Sequence, residues 1–77
     1  MEWRGKIVCD PQFLGGKPTV KGTRISVELI LESLGEGIPE AQILAAYPTL
    51  PQDAVRASLA YVNDLMAHHA KDTLEVA

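Results

Sequence analysis

The sequence predicts a mainly α fold: a three-helix, helix-turn-helix (homeodomain-like) core behind a short N-terminal β segment. Three observations predict it. Apolar residues recur at helical spacing in three stretches after Ser26. Each stretch is bounded by glycine or proline where a helix begins or stops. Before Ser26 the apolar runs are short, β-branched and broken by Asp10-Pro11 and Gly15-Gly16-Lys17-Pro18, which is the punctuation of strands and turns. With 77 residues there is material for one domain, divided into a β segment over about 6–25, a helical core over about 26–69 and a tail over 70–77. A core this small is marginal by itself, which makes pairing with a second chain a physical expectation.

The elements follow in order. Ile7-Val8-Cys9 reads as a strand ended by Asp10-Pro11. Thr19-Val20 and Gly22 to Ile25 read as extended pieces around a turn, pairing with or crossing the first strand. Ser26 is a good N-cap, because its hydroxyl can accept from an orphan amide of the first turn. Val27, Leu29, Ile30, Leu31 and Leu34 then supply an apolar face, and Gly35 and Gly37 end the helix. Pro39 suits the first position of a second helix, with Glu40 favourable at its positive end, Ile43 and Leu44 as buried positions and Tyr47-Pro48 as the stop. Pro51 opens a third, longer helix with Asp53 in its first turn. Val55, Leu59, Val62 and Met66, with Leu65 beside them, form its amphipathic stripe. Past His69 the pattern fades, and residues 71–77 read as a frayed tail or a partner-dependent segment.

Composition narrows the function classes. Nearly half the residues (47%) are hydrophobic and 22% are charged, a globular balance. No apolar run approaches the roughly 20 residues of a membrane span, and the first residues lack the apolar stretch of a signal peptide, so the expected location is cytoplasmic. The net charge of −3 conceals an asymmetry. Up to Arg24, five basic residues (Arg4, Lys6, Lys17, Lys21, Arg24) stand against two acidic ones, a net +3. From Ile25 on, Arg56 and Lys71 stand against eight carboxylates, a net −6. A polyanion is attracted to the first part and repelled by most of the second.

Catalytic and metal motifs fail on geometry, and the chain is expected to be no enzyme and to carry no cofactor. Gly15-Gly16-Lys17-Pro18-Thr19 resembles a phosphate-binding loop, but Pro18 stands where that loop needs Ser or Thr opening a helix. His68 and His69 diverge by about 100° on a helix, a poor start for a shared metal. The lone Cys9 sits in an apolar run and reads as a small core residue.

The binding candidates are polar and aromatic. Lys21, Gly22, Thr23 and Arg24 can bring amide, hydroxyl and cationic donors to one phosphate. Gln52, Arg56 and Asn63 can face outward from the third helix and read base edges. The plainer reading has Arg24 in an internal salt bridge, for example with Glu28, and the helix residues merely solvated. Tyr47 is expected in the core with its hydroxyl at the surface. Trp3, in a polar stretch, is expected to be exposed in a monomer and to favour burial against a second chain, with Tyr61 beside it as an interface residue.

The run Gly15-Gly16-Lys17-Pro18-Thr19-Val20-Lys21-Gly22-Thr23-Arg24-Ile25-Ser26-Val27, followed by Glu36-Gly37-Ile38-Pro39-Glu40 and Tyr47-Pro48-Thr49-Leu50, resembles the signature of domain-of-unknown-function family 433 over about Ile7 to Leu65. The resemblance implies a short β segment ahead of a helix-turn-helix core, usually dimeric. It also implies a type II antitoxin that neutralises a PIN-like ribonuclease toxin and represses its own operon. On that reading the helix-turn-helix spans Pro39 to Tyr47 and Pro51 to about Ala67. Operator DNA meets Lys21, Thr23, Arg24, Gln52 and Arg56, while Trp3, Tyr61, His68, His69 and Leu74 meet protein partners, the toxin falling to the segment after Leu65. The single Arg56 against Asp53 and Asp64 makes the third helix a poor polyanion surface. The acidity of the second part therefore supports a rival reading, a dimeric protein-interaction module that does not touch DNA.

Overall fold

A computed structural model describes residues 1–76, with side chains through His68. Strands β1 (Ile7–Cys9) and β2 (Pro18–Val20) form a two-stranded antiparallel sheet, followed by helices α1 (Val27–Gly35), α2 (Glu40–Ala46) and α3 (Ala54–Val76). The chain is thus mainly α with a short N-terminal β segment. The strand register pairs Ile7 with Val20, Val8 with Thr19 and Cys9 with Pro18. Pro18 has no amide to donate and stands at the start of its strand, where none is needed. The Lys21 amide extends the ladder by donating to the Lys6 carbonyl at 2.8 Å.

Alternation alone does not decide which strand residues reach the core, since the neighbours Thr19 and Val20 are both buried. Ile7 and Val20 are buried, but Cys9 is exposed. The expectation of a core cysteine is therefore corrected: the sheet is too short for its last position to be covered.

The helix boundaries follow their caps. The Ser26 hydroxyl accepts from the Leu29 amide at 3.0 Å, as an N-cap should. At the other end Gly37 adopts φ +87°. There its amide donates to the Leu34 carbonyl at 2.9 Å and the Ile38 amide to Ser33 at 3.1 Å, the paired bonds of a Schellman stop. Pro39 stands one position earlier than expected, as the N-cap of α2, where its carbonyl accepts from Gln42 and Ile43. Residues 51–53 form a turn ahead of α3 and not its first helical turn. The α2–α3 connection therefore spans 47–53, longer than the four residues, 36–39, between α1 and α2. The backbone of α3 stays helical to Val76, so the expected frayed tail is replaced by helix up to that residue.

The core gathers around α1, which packs on β2, α2 and α3. Ile30 and Ile43 are fully buried, with Val20, Val27, Val55 and Leu50 around them and Tyr47 partly buried at the edge. Of the expected stripe on α3, Val55 is buried and Val62 packs against the core, but the face extends away from the other two positions. Ala54, Ala57 and Ser58 are buried, whereas Leu59 and Met66 are 47% and 58% exposed. Relative to the 55-59-62-66 spacing the buried face is rotated by about 90°. Small side chains let the α3 backbone approach α1 and the sheet closely, and the Ser58 hydroxyl is satisfied within the helix by donating to the Ala54 carbonyl at 2.9 Å. No helix among the described residues is long and apolar enough to cross a membrane.

Candidate functional site

The basic residues sort into paired and unpaired. Arg4 bonds Glu2 at 3.2 Å, Lys6 bonds Asp53, and Lys17 bonds Glu28 at 3.1 Å. The Arg4 backbone amide, helped by its guanidinium, holds the Glu2 carboxyl below its ordinary range; the Lys6 hydrogen bond does the same for Asp53. Among the described residues Lys21, Arg24 and Arg56 form no ion pair. The internal Arg24–Glu28 bridge is not formed; Glu28 pairs with Lys17 instead. These three free cations are the three charged members of the expected DNA-contacting set.

The turn that carries two of them is built by Thr23. Its hydroxyl donates to the Val20 carbonyl at 2.8 Å and accepts from the Ile25 amide at 3.1 Å, while the Thr23 amide also donates to Val20. Gly22 takes φ +82°, a conformation that suits glycine at the third position of such a turn. The Thr23 hydroxyl has spent its one proton inside the chain, which corrects its expected role: it shapes the turn and has no donor left for a phosphate. Lys21 and Arg24 are exposed at either side of Gly22.

Arg24 is held in place by Phe13, an aromatic residue that no sequence pattern singles out. The guanidinium lies over the Phe13 ring, 5.3 Å from the centroid, a cation–π contact that leaves the N–H groups free for an anion. Phe13 follows the Asp10-Pro11 turn, eleven residues before Arg24 in a loop without periodicity, so nothing local links the two. Both line a cleft of about 600 Å³ with Val8, Asp10, Thr19, Gly22, Thr23, Ile25 and Thr49.

Gln52 and Arg56 lie elsewhere. Gln52, in the turn ahead of α3, and Arg56, in its first helical turn, are exposed and line a second cleft with Glu40, Ala41, Leu44 and Asp53. The five expected DNA residues thus form two groups, one on the β2–α1 turn and one beside two carboxylates. Asn63 is exposed on α3.

The expected partner residues also divide. Trp3 and Tyr61 meet within the chain, edge to face with centroids 4.8 Å apart, and both are half-buried. The Trp3 indole donates to Asp64 at 2.6 Å, and the Arg4 guanidinium covers the ring face. Trp3 therefore needs no second chain for its packing, which corrects that expectation. Burial pushes the Tyr61 phenol above its ordinary range, and the neighbouring Cys9 thiol raises it further. His68 is exposed; the side chains of His69 and Leu74 lie outside the described residues. Among the described residues no three His, Cys, Asp or Glu side chains gather as a metal site.

A small sheet leading into three helices, with two of the free cations of the described residues on the β2–α1 turn, defines a class whose family can be named. The chain belongs to the family described as protein of unknown function DUF433, whose family model matches residues 7–62. It is similar to an uncharacterised protein, y4eO, of Sinorhizobium fredii, at 33% identity over 55 residues. That match covers 71% of this chain but only 25% of the relative, so the chain spans about a quarter of the relative's length. No solved structure matches the chain.

Proposed function

We propose that this protein is a cytoplasmic, dimeric, non-catalytic antitoxin of the type II kind, one that binds operator DNA, neutralises a PIN-like ribonuclease toxin and represses the operon encoding both. The observation that carries the DNA half is the division of the cations. Among the described residues, three are neutralised by carboxylates, and two of the three that are not flank the glycine turn after β2. Exposed unpaired cations beside a tight backbone turn are what a phosphate contact requires. The turn, and not the N-terminal end of α3, is then the main backbone contact, because Arg56 shares its cleft with Glu40 and Asp53. A dimer presents two such turns.

The rival reading, an interaction module without DNA binding, is favoured by the exposed apolar side chains of α3, Leu59, Leu65 and Met66, and by the acidity of the helical part. One experiment separates the two: a gel shift of the purified protein on its own promoter fragment and on a scrambled fragment, at low and at physiological salt. Preferential retention of the promoter supports the regulator. Absence of a shift at both salts, with and without the co-expressed neighbouring toxin, supports the interaction module.

A further inference from the structure

A third depression, of about 420 Å³, opens between α1 and α3. Val27, Leu31, Tyr61, Val62 and Pro18 line it, and Glu28 and Glu32 stand on its α1 wall. Its floor does not end where the body ends. Leu65 lies seven residues beyond Ser58 and four beyond Tyr61, so helical geometry puts it on the same inner face of α3 as those packed residues. Yet Leu65 is 51% exposed. The inner face of α3 therefore runs on past the last element able to cover it, as an apolar track that starts in the groove and continues along the helix.

We propose that this groove docks an amphipathic helix of a partner protein, with its apolar face on Leu31, Tyr61, Val62 and Leu65 and with Lys or Arg residues along the edge facing Glu28 and Glu32. Anchors at helical spacing laid into an apolar groove are a recurrent mode of recognition. Charge selects the occupant. Glu28 is engaged only by Lys17, through an exposed contact, and Glu32 forms no ion pair among the described residues. The helical part of a second copy, acidic from Ile25 onward, brings like charge to this wall; a basic helix brings the complement. The inference stands apart from the DNA reading, since it uses neither Lys21 nor Arg24.

The groove carries its own reporter. Tyr61 lines it and packs against Trp3, the one tryptophan of the chain, so occupation alters Trp3 emission. The probe is a labelled helical peptide of about 16 residues with leucines at i, i+4, i+7 and i+11, lysines flanking them, and no Trp or Tyr. Its counterpart replaces every lysine by glutamate. The lysine peptide is expected to bind, shifting Trp3 emission, and the glutamate peptide to bind at least about tenfold more weakly. In the protein, Glu28→Gln with Glu32→Gln is expected to weaken binding about fivefold, and Leu65→Ala, at an exposed site that the fold does not need, about tenfold. Equal affinity for the two peptides, or no binding of either, overturns the proposal even without a protein variant. So does sedimentation that shows a dimer abolished by Leu65→Ala and competing with the peptide, because the groove then belongs to a second copy.

Discussion

The indole N–H of Trp3 reaches across sixty-one positions of sequence to the Asp64 carboxylate, at 2.6 Å, while the same ring meets Tyr61 edge to face. This pair ties the N-terminal residues to the middle of α3. Together with the Lys6–Asp53 contact, it closes the sheet over the helix at two points.

The Trp3–Asp64 bond is expected to matter more than an ordinary surface contact, because its acceptor is charged and its donor half-buried. Trp3→Phe keeps an aromatic edge for Tyr61 but removes the donor and part of the buried ring, and should cost about 1–2 kcal/mol. Asp64→Asn retains an acceptor and should cost less. Thermal melts of these two variants, of Asp64→Ala and of Trp3→Phe combined with Asp64→Ala check this. A double variant whose destabilisation equals the sum of its two single variants would show that the residues do not act as a pair.

The close packing of α3 predicts a different response. Ala57 has no exposed surface and belongs to the buried core of the fold. Ala57→Leu should destabilise by about 1–3 kcal/mol, since a tight interior has no room for three more carbons. Leu59→Ala, on the exposed flank, should be within about 0.5 kcal/mol of the parent. Denaturant midpoints of the two variants rank them, and the reverse order would place the inner face back on the 55-59-62-66 line.

That face shows what the sequence carries and what it does not. The two ends of α1 are legible because they depend on single residues with local effects, Ser26 as a cap and Gly37 at positive φ, whereas Pro18 as a strand start and the bounds of α3 are not. The face of α3 is not, because Ala54, Ala57 and Ser58 carry almost no hydropathy signal while deciding how near the helix can come. Leu59 and Met66 carry a strong signal and remain outside. Cys9 misleads in the same way, being apolar by type and uncovered by position. In the candidate site, Lys21 and Arg24 are legible as cations beside a glycine turn. Their freedom from ion pairs is not, since it depends on which carboxylates the fold brings within reach of them. Nor is the seating of Arg24 on Phe13.

The Lys6–Asp53 contact sets a pH dependence. Hydrogen bonding to Lys6 lowers the Asp53 carboxyl below its ordinary value of 3.8, so the folded state favours the ionised form. The stabilisation it gives is fully present above that ordinary value and is lost as pH falls through the lower, folded value. Glu2, lowered by Arg4, acts in the same direction. Lys6→Met should therefore reduce the fall in melting temperature on acidification below about pH 4, leaving the Glu2 part. Thermal melts from pH 6 to pH 2.5 measure it; parallel curves for parent and variant would show that the contact has no influence in solution.

The turn after β2 gives the prediction that bears most on function. Thr23→Val removes both hydroxyl bonds that hold the turn and should cost about 1–2 kcal/mol in stability. Lys21→Ala with Arg24→Ala removes no hydrogen bond or ion pair found in the structure, giving up only the stacking of Arg24 on Phe13, and should leave the melting temperature nearly unchanged. On DNA the double variant should bind promoter and scrambled fragments more weakly by the same factor. The slope of log K against log salt should shrink by about 0.9 for each phosphate that is no longer neutralised. Arg56→Ala, beside Glu40 and Asp53, should change that slope much less. An unaltered salt slope in the double variant, with a normal melt, would remove the turn from the DNA interface. A change confined to Arg56→Ala would move that interface to the start of α3, despite the carboxylates there.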